Sequence, residues 1–193
     1  KHEELGNSTV TFGQISGGYS PYVVSDHCKV TIDMRLVPPM NTKEAEKIVQ
    51  GYLPEETGHQ KLLIEASNYS VLVGGKRLRP MIMLESFKAF GGTGNVVEPF
   101  MAALEMIHSG SLVHDDLPCM DNDEYRRGNL TTWKKYGYDM AVLAGDKLFI
   151  YAFETAAKAF DGTNKDIQTA KALQILTRKP GIYGMIGGQT VDV

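Results

Sequence analysis

Fourteen consecutive residues, His114 to Arg127, hold five carboxylates and two arginines. They read His114-Asp115-Asp116-Leu117-Pro118-Cys119-Met120-Asp121-Asn122-Asp123-Glu124-Tyr125-Arg126-Arg127. Pro118 disfavours helix at Leu117, so Asp115 and Asp116 are expected in the last turn of a preceding helix, where the negative end of the dipole opposes carboxylates. A bound cation would remove that conflict. Oxygen-only ligands suit Mg²⁺ rather than zinc, and Mg²⁺ commonly bridges a few carboxylates to a substrate's phosphates. His108, Ser111 and Asp115, spaced i, i+3 and i+7, share one helical face and are expected to line one cavity. The competing reading is a solvated acidic turn that binds nothing. An EF-hand loop is excluded, because Tyr125 and Arg126 stand where it needs an oxygen ligand and a glycine.

A second cluster, Gly74-Gly75-Lys76-Arg77-Leu78-Arg79-Pro80, places three cations beside a glycine pair and just before an expected helix start. Flexible backbone, a helix N-terminus and guanidinium forks together suit an anion, a diphosphate above all. A helix stop followed by solvated basic residues would look the same. It is not a nucleotide-binding P-loop, since it lacks the Gly-x4-Gly-Lys-Ser/Thr spacing and does not follow a strand.

These residues need elements to hold them, and the 193-residue chain supplies two kinds. Thr9 to Ile15 and Val23 to Leu36 are rich in Val, Ile and Thr, and Val30, Ile32, Met34 and Leu36 alternate with polar positions, the period of a half-buried strand. Gly17 to Pro21 is turn chemistry, and a short helix is expected over Lys43 to Val49. From Pro54 onward the apolar spacing is helical, with Leu62, Leu63, Ala66, Tyr69, Leu72 and Val73 on one stripe. Pro80 is expected to open a helix over Met81 to Phe90. Further helices are expected over 97–116, 139–160 and 165–178, with a Gly-rich segment over 181–188. The fold class is therefore mainly all-α with a short α/β segment at the front, divided into 1–50 and 51–193. The start without Met and the abrupt stop at Val193 point to a truncated chain.

With 42% hydrophobic residues a core is affordable, and 20 Lys and Arg against 23 Asp and Glu leave no basic excess to attract nucleic acid or anionic lipid. Two cysteines, Cys28 and Cys119, are too few for a disulfide framework, and no apolar run reaches the roughly 18 residues of a membrane span. The expectation is a cytoplasmic protein with no stable membrane anchor.

Together, Gly74 to Pro80, Glu105-Met106-Ile107-His108, Asp115 to Arg127, Leu143-Ala144-Gly145-Asp146 and Gly187-Gly188-Gln189-Thr190-Val191-Asp192 resemble the trans-prenyl diphosphate synthases. The resemblance covers about Tyr52 to Val193. It is greatest to the bacterial and plastid-type farnesyl and geranylgeranyl enzymes, whose first aspartate motif has the longer spacing seen from Asp115 to Asp121. It implies a partial isoprenoid-synthase helical bundle. The implied reaction condenses isopentenyl diphosphate with an allylic diphosphate (dimethylallyl, geranyl or farnesyl) by Mg²⁺-assisted ionisation, giving a C15–C20 product. Lys76, Arg79 and His108, assisted by Arg127, would hold the isopentenyl diphosphate. Arg126 would contact the allylic diphosphate, Asp115, Asp116 and Asp121 would bind Mg²⁺, and Gln189 would face the cavity. A complete chain would be a homodimer. Gly110, five residues before Asp115, is expected to leave space at the tunnel floor; a close helix crossing is the alternative.

Leu130 and Trp133 depart from the family's usual residues after the arginine pair, and the second aspartate motif would lie beyond Val193. Residues 6–49 resemble part of the dimerisation domain of aminoacylase and carboxypeptidase-type di-zinc peptidases, without their catalytic domain, so no hydrolase activity is assigned. Two other readings compete: an inactive truncated or chimeric relic, and a helical metal phosphohydrolase using His114, Asp115 and His59.

Overall fold

The computed structural model describes residues 9–17, 28–35, 42–161 and 166–192. Two compact units divide between Asn41 and Thr42. In the first, β1 (Thr9–Gly17) pairs antiparallel with β2 (Cys28–Arg35), from Thr9 opposite Arg35 to Gly17 opposite Cys28. The register shifts between Phe12 and Gln14, leaving Gly13 as the extra residue of a bulge. That shift sets Ile15 opposite Val30 while Phe12 stays opposite Ile32. The expected strand residues Val23 to His27 and Leu36, and the turn residues Gly18 to Pro21, lie outside the described residues.

The second unit is helical. Its members are α1 (Thr42–Gly51), α2 (Lys61–Leu72), α3 (Leu78–Ala89), α4 (Glu98–Asp115), α5 (Thr132–Tyr136), α6 (Tyr138–Ala157), a 3₁₀ turn over Lys158–Phe160, α7 (Asp166–Arg178) and α8 (Met185–Asp192). Helix α1, which the sequence pattern groups with the N-terminal segment, packs against α4 and α3, burying Ala45 and Val49.

The centre of this unit is the contact between α4 and α6. Ala141, Ala144, Ala152 and Ala156 of α6 and Ala102 and Ala103 of α4 are all fully buried, so small side chains let the two helices approach closely. Met106 and Leu148 fill the space between them, and truncating Leu148 to Ala would cost about 2–5 kcal/mol. Gly110 belongs to this seam. A Cβ there would lie 3.2 Å from Leu148 Cβ and 3.3 Å from the Gly145 carbonyl oxygen, so the glycine marks a close crossing and opens no space at a tunnel floor.

Helix α3 begins two residues before Pro80, not at it. Pro80 falls in the first turn, where its missing N–H has no helical partner to lose. Two elements have no counterpart in the sequence pattern: the hairpin β3 (Tyr125–Arg126) with β4 (Asn129–Leu130), and the five-residue α5. The Gly-rich segment gives way to α8, and no helix among the described residues is long and apolar enough to cross a membrane.

Candidate active site

Helix α4 carries the site. Its 18 residues rise about 27 Å, and it delivers Glu105 and His108 to one cleft and Asp115 to another. Its end follows from sequence as expected, with Asp115 the last helical residue and Asp116 the C-cap. Beyond it the chain folds back on itself, the Asp121 N–H donating to the Asp115 carbonyl at 2.8 Å and that of Asn122, at φ +56°, to the Leu117 carbonyl at 3.1 Å. Asp121 is thereby returned to the vicinity of Asp115.

The neighbouring aspartates have different surroundings. Asp115 lines a cavity of about 900 Å³ between the ends of α4, α6 and α8, walled by Ser111, Phe149, Met185, Ile186 and Gln189. Its Oδ1 accepts a 2.5 Å hydrogen bond from Gln189 Nε2. Burial raises its pKa above the ordinary carboxylate value, Asp121's charge raises it too, and the Gln189 bond opposes them. Asp116 is 3% exposed, and its Oδ1 receives Arg126 Nε at 2.7 Å and Nη2 at 2.5 Å. Burial raises its pKa and Arg126 opposes that. Arg126 Nη2 also lies 3.6 Å from Asp123 Oδ2.

A second cavity, about 490 Å³, brings Lys76, Arg79, His108 and Arg127 together with Glu105. His108 therefore sits apart from Ser111 and Asp115, which share the larger cavity. Seven residues of helix separate its ends by about 10 Å along the axis, enough to pass from one cleft to the next despite a common face. His108 is held below the ordinary imidazole pKa, first by burial, then by the Arg79 and Arg127 charges. Arg127, at φ +54°, reaches from the β3–β4 hairpin to donate to the Gly74 carbonyl, its guanidinium lying where a Gly75 side chain would be. Gly75 itself has φ +135°, so only glycine satisfies both the backbone and the arginine at this position.

Three features were not legible as such. Arg77, one of the three clustered cations, turns inward and is 3% exposed. Its Nη1 bonds Glu105 Oε1 at 2.8 Å and its Nη2 the Val71 carbonyl at 2.6 Å. Trp133 Nε1 and Thr131 Oγ1 both donate to the Asp123 carbonyl at 2.8 Å, and Lys134 meets Glu124 at 2.6 Å, clamping the acidic loop to α5. Tyr69 Oη donates to the Leu130 carbonyl at 2.8 Å, tying α2 to the same hairpin. The indole donor at 133 is the one signal in the sequence that could have pointed to this clamp.

Among the described residues no group of three or more His, Cys, Asp or Glu side chains is placed to hold a metal ion by itself. Mg²⁺ needs only one or two carboxylates when phosphates and water complete its shell. Asp115, raised by burial and by the like charge of Asp121, is a carboxylate that a cation would return to its ordinary range. The pair fits a Mg²⁺ shared with a substrate, and Asp116 is already engaged by Arg126. For the phosphohydrolase reading, His114 Nε2 lies 3.1 Å from the Val142 carbonyl and 3.6 Å from Asp146 Oδ1, and among the described residues no third His, Cys, Asp or Glu side chain joins them to complete a metal-holding group.

The arrangement is a basic cleft and an acidic-edged apolar cavity served by one helix. A family model, polyprenyl synthetase, matches residues 60–193. The chain belongs to that family. A second model, the peptidase dimerisation domain, matches residues 1–61. Over 129 residues the chain is 48% identical to a chloroplastic geranylgeranyl pyrophosphate synthase of Catharanthus roseus, covering 67% of this chain and 36% of the relative. It is 42% identical over 148 residues to a farnesyl diphosphate synthase of Micrococcus luteus, covering 77% and 48%. Among solved structures, an FPP/GFPP synthase from Zymomonas mobilis superposes with a TM-score of 0.72 at 35% identity, covering 78% of this chain and 54% of that one. A geranyltransferase from Legionella pneumophila gives 0.73 at 32% identity, covering 78% and 53%. The chain thus spans about a third to a half of the length of these proteins, and its mainly helical fold is the isoprenoid-synthase fold of the two superposed structures.

Proposed function

We propose that this chain carries the substrate-binding half of a prenyltransferase that joins isopentenyl diphosphate to an allylic diphosphate, giving a C15–C20 product. The observation that carries the reading is the pairing along one helix of a basic cleft, lined by Lys76, Arg79, His108 and Arg127, with the acidic-edged apolar cavity at Asp115. The product range follows the farnesyl and geranylgeranyl names of the relatives.

In this reading Lys76, Arg79 and Arg127 neutralise the isopentenyl diphosphate, and His108 adds a proton-dependent contact. Asp115 and Asp121 would hold Mg²⁺ beside the allylic diphosphate, and Gln189 fixes Asp115. When bound, Mg²⁺ supplies Lewis-acid stabilisation of the diphosphate as it leaves. Arg126, oriented by Asp116, faces the same developing charge. The apolar wall from Phe149, Met185 and Ile186 receives the hydrocarbon chain and excludes water from the reacting carbons. Assembly into a homodimer and a cytoplasmic location belong to the same proposal.

Calorimetric titration of an unreactive thio-analogue of geranyl diphosphate, with and without Mg²⁺, tests this. The expected result is binding that requires Mg²⁺ and disappears in Asp115→Ala at unchanged helix content. Mg²⁺-independent binding, equal binding by the variant, or no binding by the helical chain would overturn it.

A further inference from the structure

A third cavity, of about 480 Å³, lies between α3, α4 and α7, on the N-terminal half of α4. Leu104, its deepest α4 residue in sequence, precedes Asp115 by eleven positions, about 16 Å along the helix. The groove belongs to neither diphosphate cleft. Its walls are Met83 and Phe87 from α3, Phe100 and Leu104 from α4, and Ile175 and Leu176 from α7. Helix α7 and the residue after it face the groove with Gln168, Thr169, Ala172, Ile175, Leu176 and Lys179, a stripe at helical spacing that runs about 16 Å. Polar groups occur at its two ends alone: Gln168 and Thr169 in the first turn of α7, and Lys179 just past the last.

Volume and chemistry match a small-molecule site, apolar along its length with a few polar groups to set orientation. Lys179 is exposed and has no ion-pair partner among the described residues. One compact ammonium at the end of a long apolar channel is complementary to one carboxylate at the end of a single hydrocarbon chain. A diphosphate calls for more: the cleft at Lys76 gathers four cations, one of them paired with Glu105, and a histidine. We propose that this groove binds a single-chain fatty acid, its alkyl chain along Phe87, Phe100 and Leu176 and its carboxylate on Lys179. The site stands independently of the prenyl-transfer reading.

The test is titration of dansyl-labelled undecanoic acid, read by its emission, with decanoate and decanol as competitors. The expected results are one equivalent bound, displacement by decanoate, and displacement by decanol at least tenfold weaker. Lys179→Glu should weaken binding tenfold or more. Lys171→Glu, on the same helix but outside the groove, should leave it unchanged, and Ala172→Trp should fill the channel and abolish binding. Equal competition by decanol, or equal behaviour of the two lysine variants, overturns the proposal. So does light scattering that shows a dimer which Ala172→Trp converts to a monomer, since the groove is then occupied by a second copy. Lys179 is exposed, so the lysine variants keep the fold even where the tryptophan does not.

Discussion

Gln189 donates from Nε2 to Asp115 Oδ1 at 2.5 Å, joining two residues 74 positions apart. The bond ties α8 to the end of α4, and it lowers an Asp115 pKa that burial and Asp121 both raise. Gln189→Ala is expected to push the Asp115 carboxyl further up. It should also weaken Mg²⁺-dependent binding of the geranyl thio-analogue about tenfold, the equivalent of about 1.4 kcal/mol and typical of one hydrogen bond to a charged group. Carbon-13 NMR titration of the carboxyl and calorimetry read the two effects. An unmoved pKa would show that the bond has no hold on the site.

The adjacent aspartates should separate in their consequences. Asp116→Asn leaves Arg126 without its buried partner, and a loss of about 2–4 kcal/mol in urea denaturation is expected. Asp115→Asn removes a half-buried charge with no cationic partner of its own, so stability should change by less than about 1 kcal/mol while Mg²⁺-dependent binding disappears. Equal stability losses for the two variants would contradict the division of roles drawn from their contacts.

Local signals were legible where one residue type dictates one backbone outcome. Pro118 announced the end of α4, alternation announced β2, and three-and-four spacing announced α2, because each rests on period or on the proline ring alone. Gly110 was ambiguous for a physical reason: a missing side chain serves open space and a close crossing equally, and only the position of Leu148 decides. The partition of His108 and Asp115 between two clefts depends on axial rise, which a face-sharing argument ignores. The β3–β4 hairpin and α5 are held by Tyr69, Thr131 and Trp133 through tertiary hydrogen bonds, so no periodicity within so few residues could announce them.

Arg77 and Arg79 look alike in sequence and should behave oppositely. The Arg77–Glu105 pair is buried on both sides, with side chains 2% and 3% exposed. Arg77→Met would strand Glu105, and a destabilisation of about 3–5 kcal/mol is expected, largely relieved in the double variant with Glu105→Leu. Arg79→Ala should leave stability within about 0.5 kcal/mol and weaken binding of isopentenyl diphosphate while sparing the geranyl analogue. Denaturation and calorimetry on the four proteins test both halves. A binding loss for Arg77→Met in a fully folded sample would place that side chain in the anion site after all.

His108 gives the cleft a pH dependence with a definite sign. Burial and the Arg79 and Arg127 charges hold its pKa below the ordinary imidazole value, so the free site carries a neutral ring near neutral pH. A bound diphosphate favours the protonated ring, hence isopentenyl diphosphate should bind more tightly as pH falls below about 6.5. The diphosphate's own protonation acts in the opposite sense. Comparison with His108→Gln isolates the histidine: affinity of the variant should lack the wild-type gain at low pH. Parallel profiles for the two proteins would remove His108 from the anion site.

Lys147 is the clearest unpartnered charge in the helical unit. Its Nζ is buried without a hydrogen-bond partner, 4.6 Å from the centre of the Tyr151 ring. Burial lowers its pKa from 10.5 to about 8, with Glu154 opposing. Between those values the unfolded chain binds more protons than the folded one, so stability from this group rises as pH climbs through the window. Below about 8 both states are charged and the penalty is constant. The full shift corresponds to about 3 kcal/mol, and contact with solvent reduces it to roughly 1–2 kcal/mol. Lys147→Met should therefore be more stable than wild type at pH 7 by that reduced amount. The advantage should shrink steadily toward pH 10 as the native amine deprotonates. Urea denaturation of both proteins across this range decides it, and a constant difference between them would show that the buried amine does not titrate with folding.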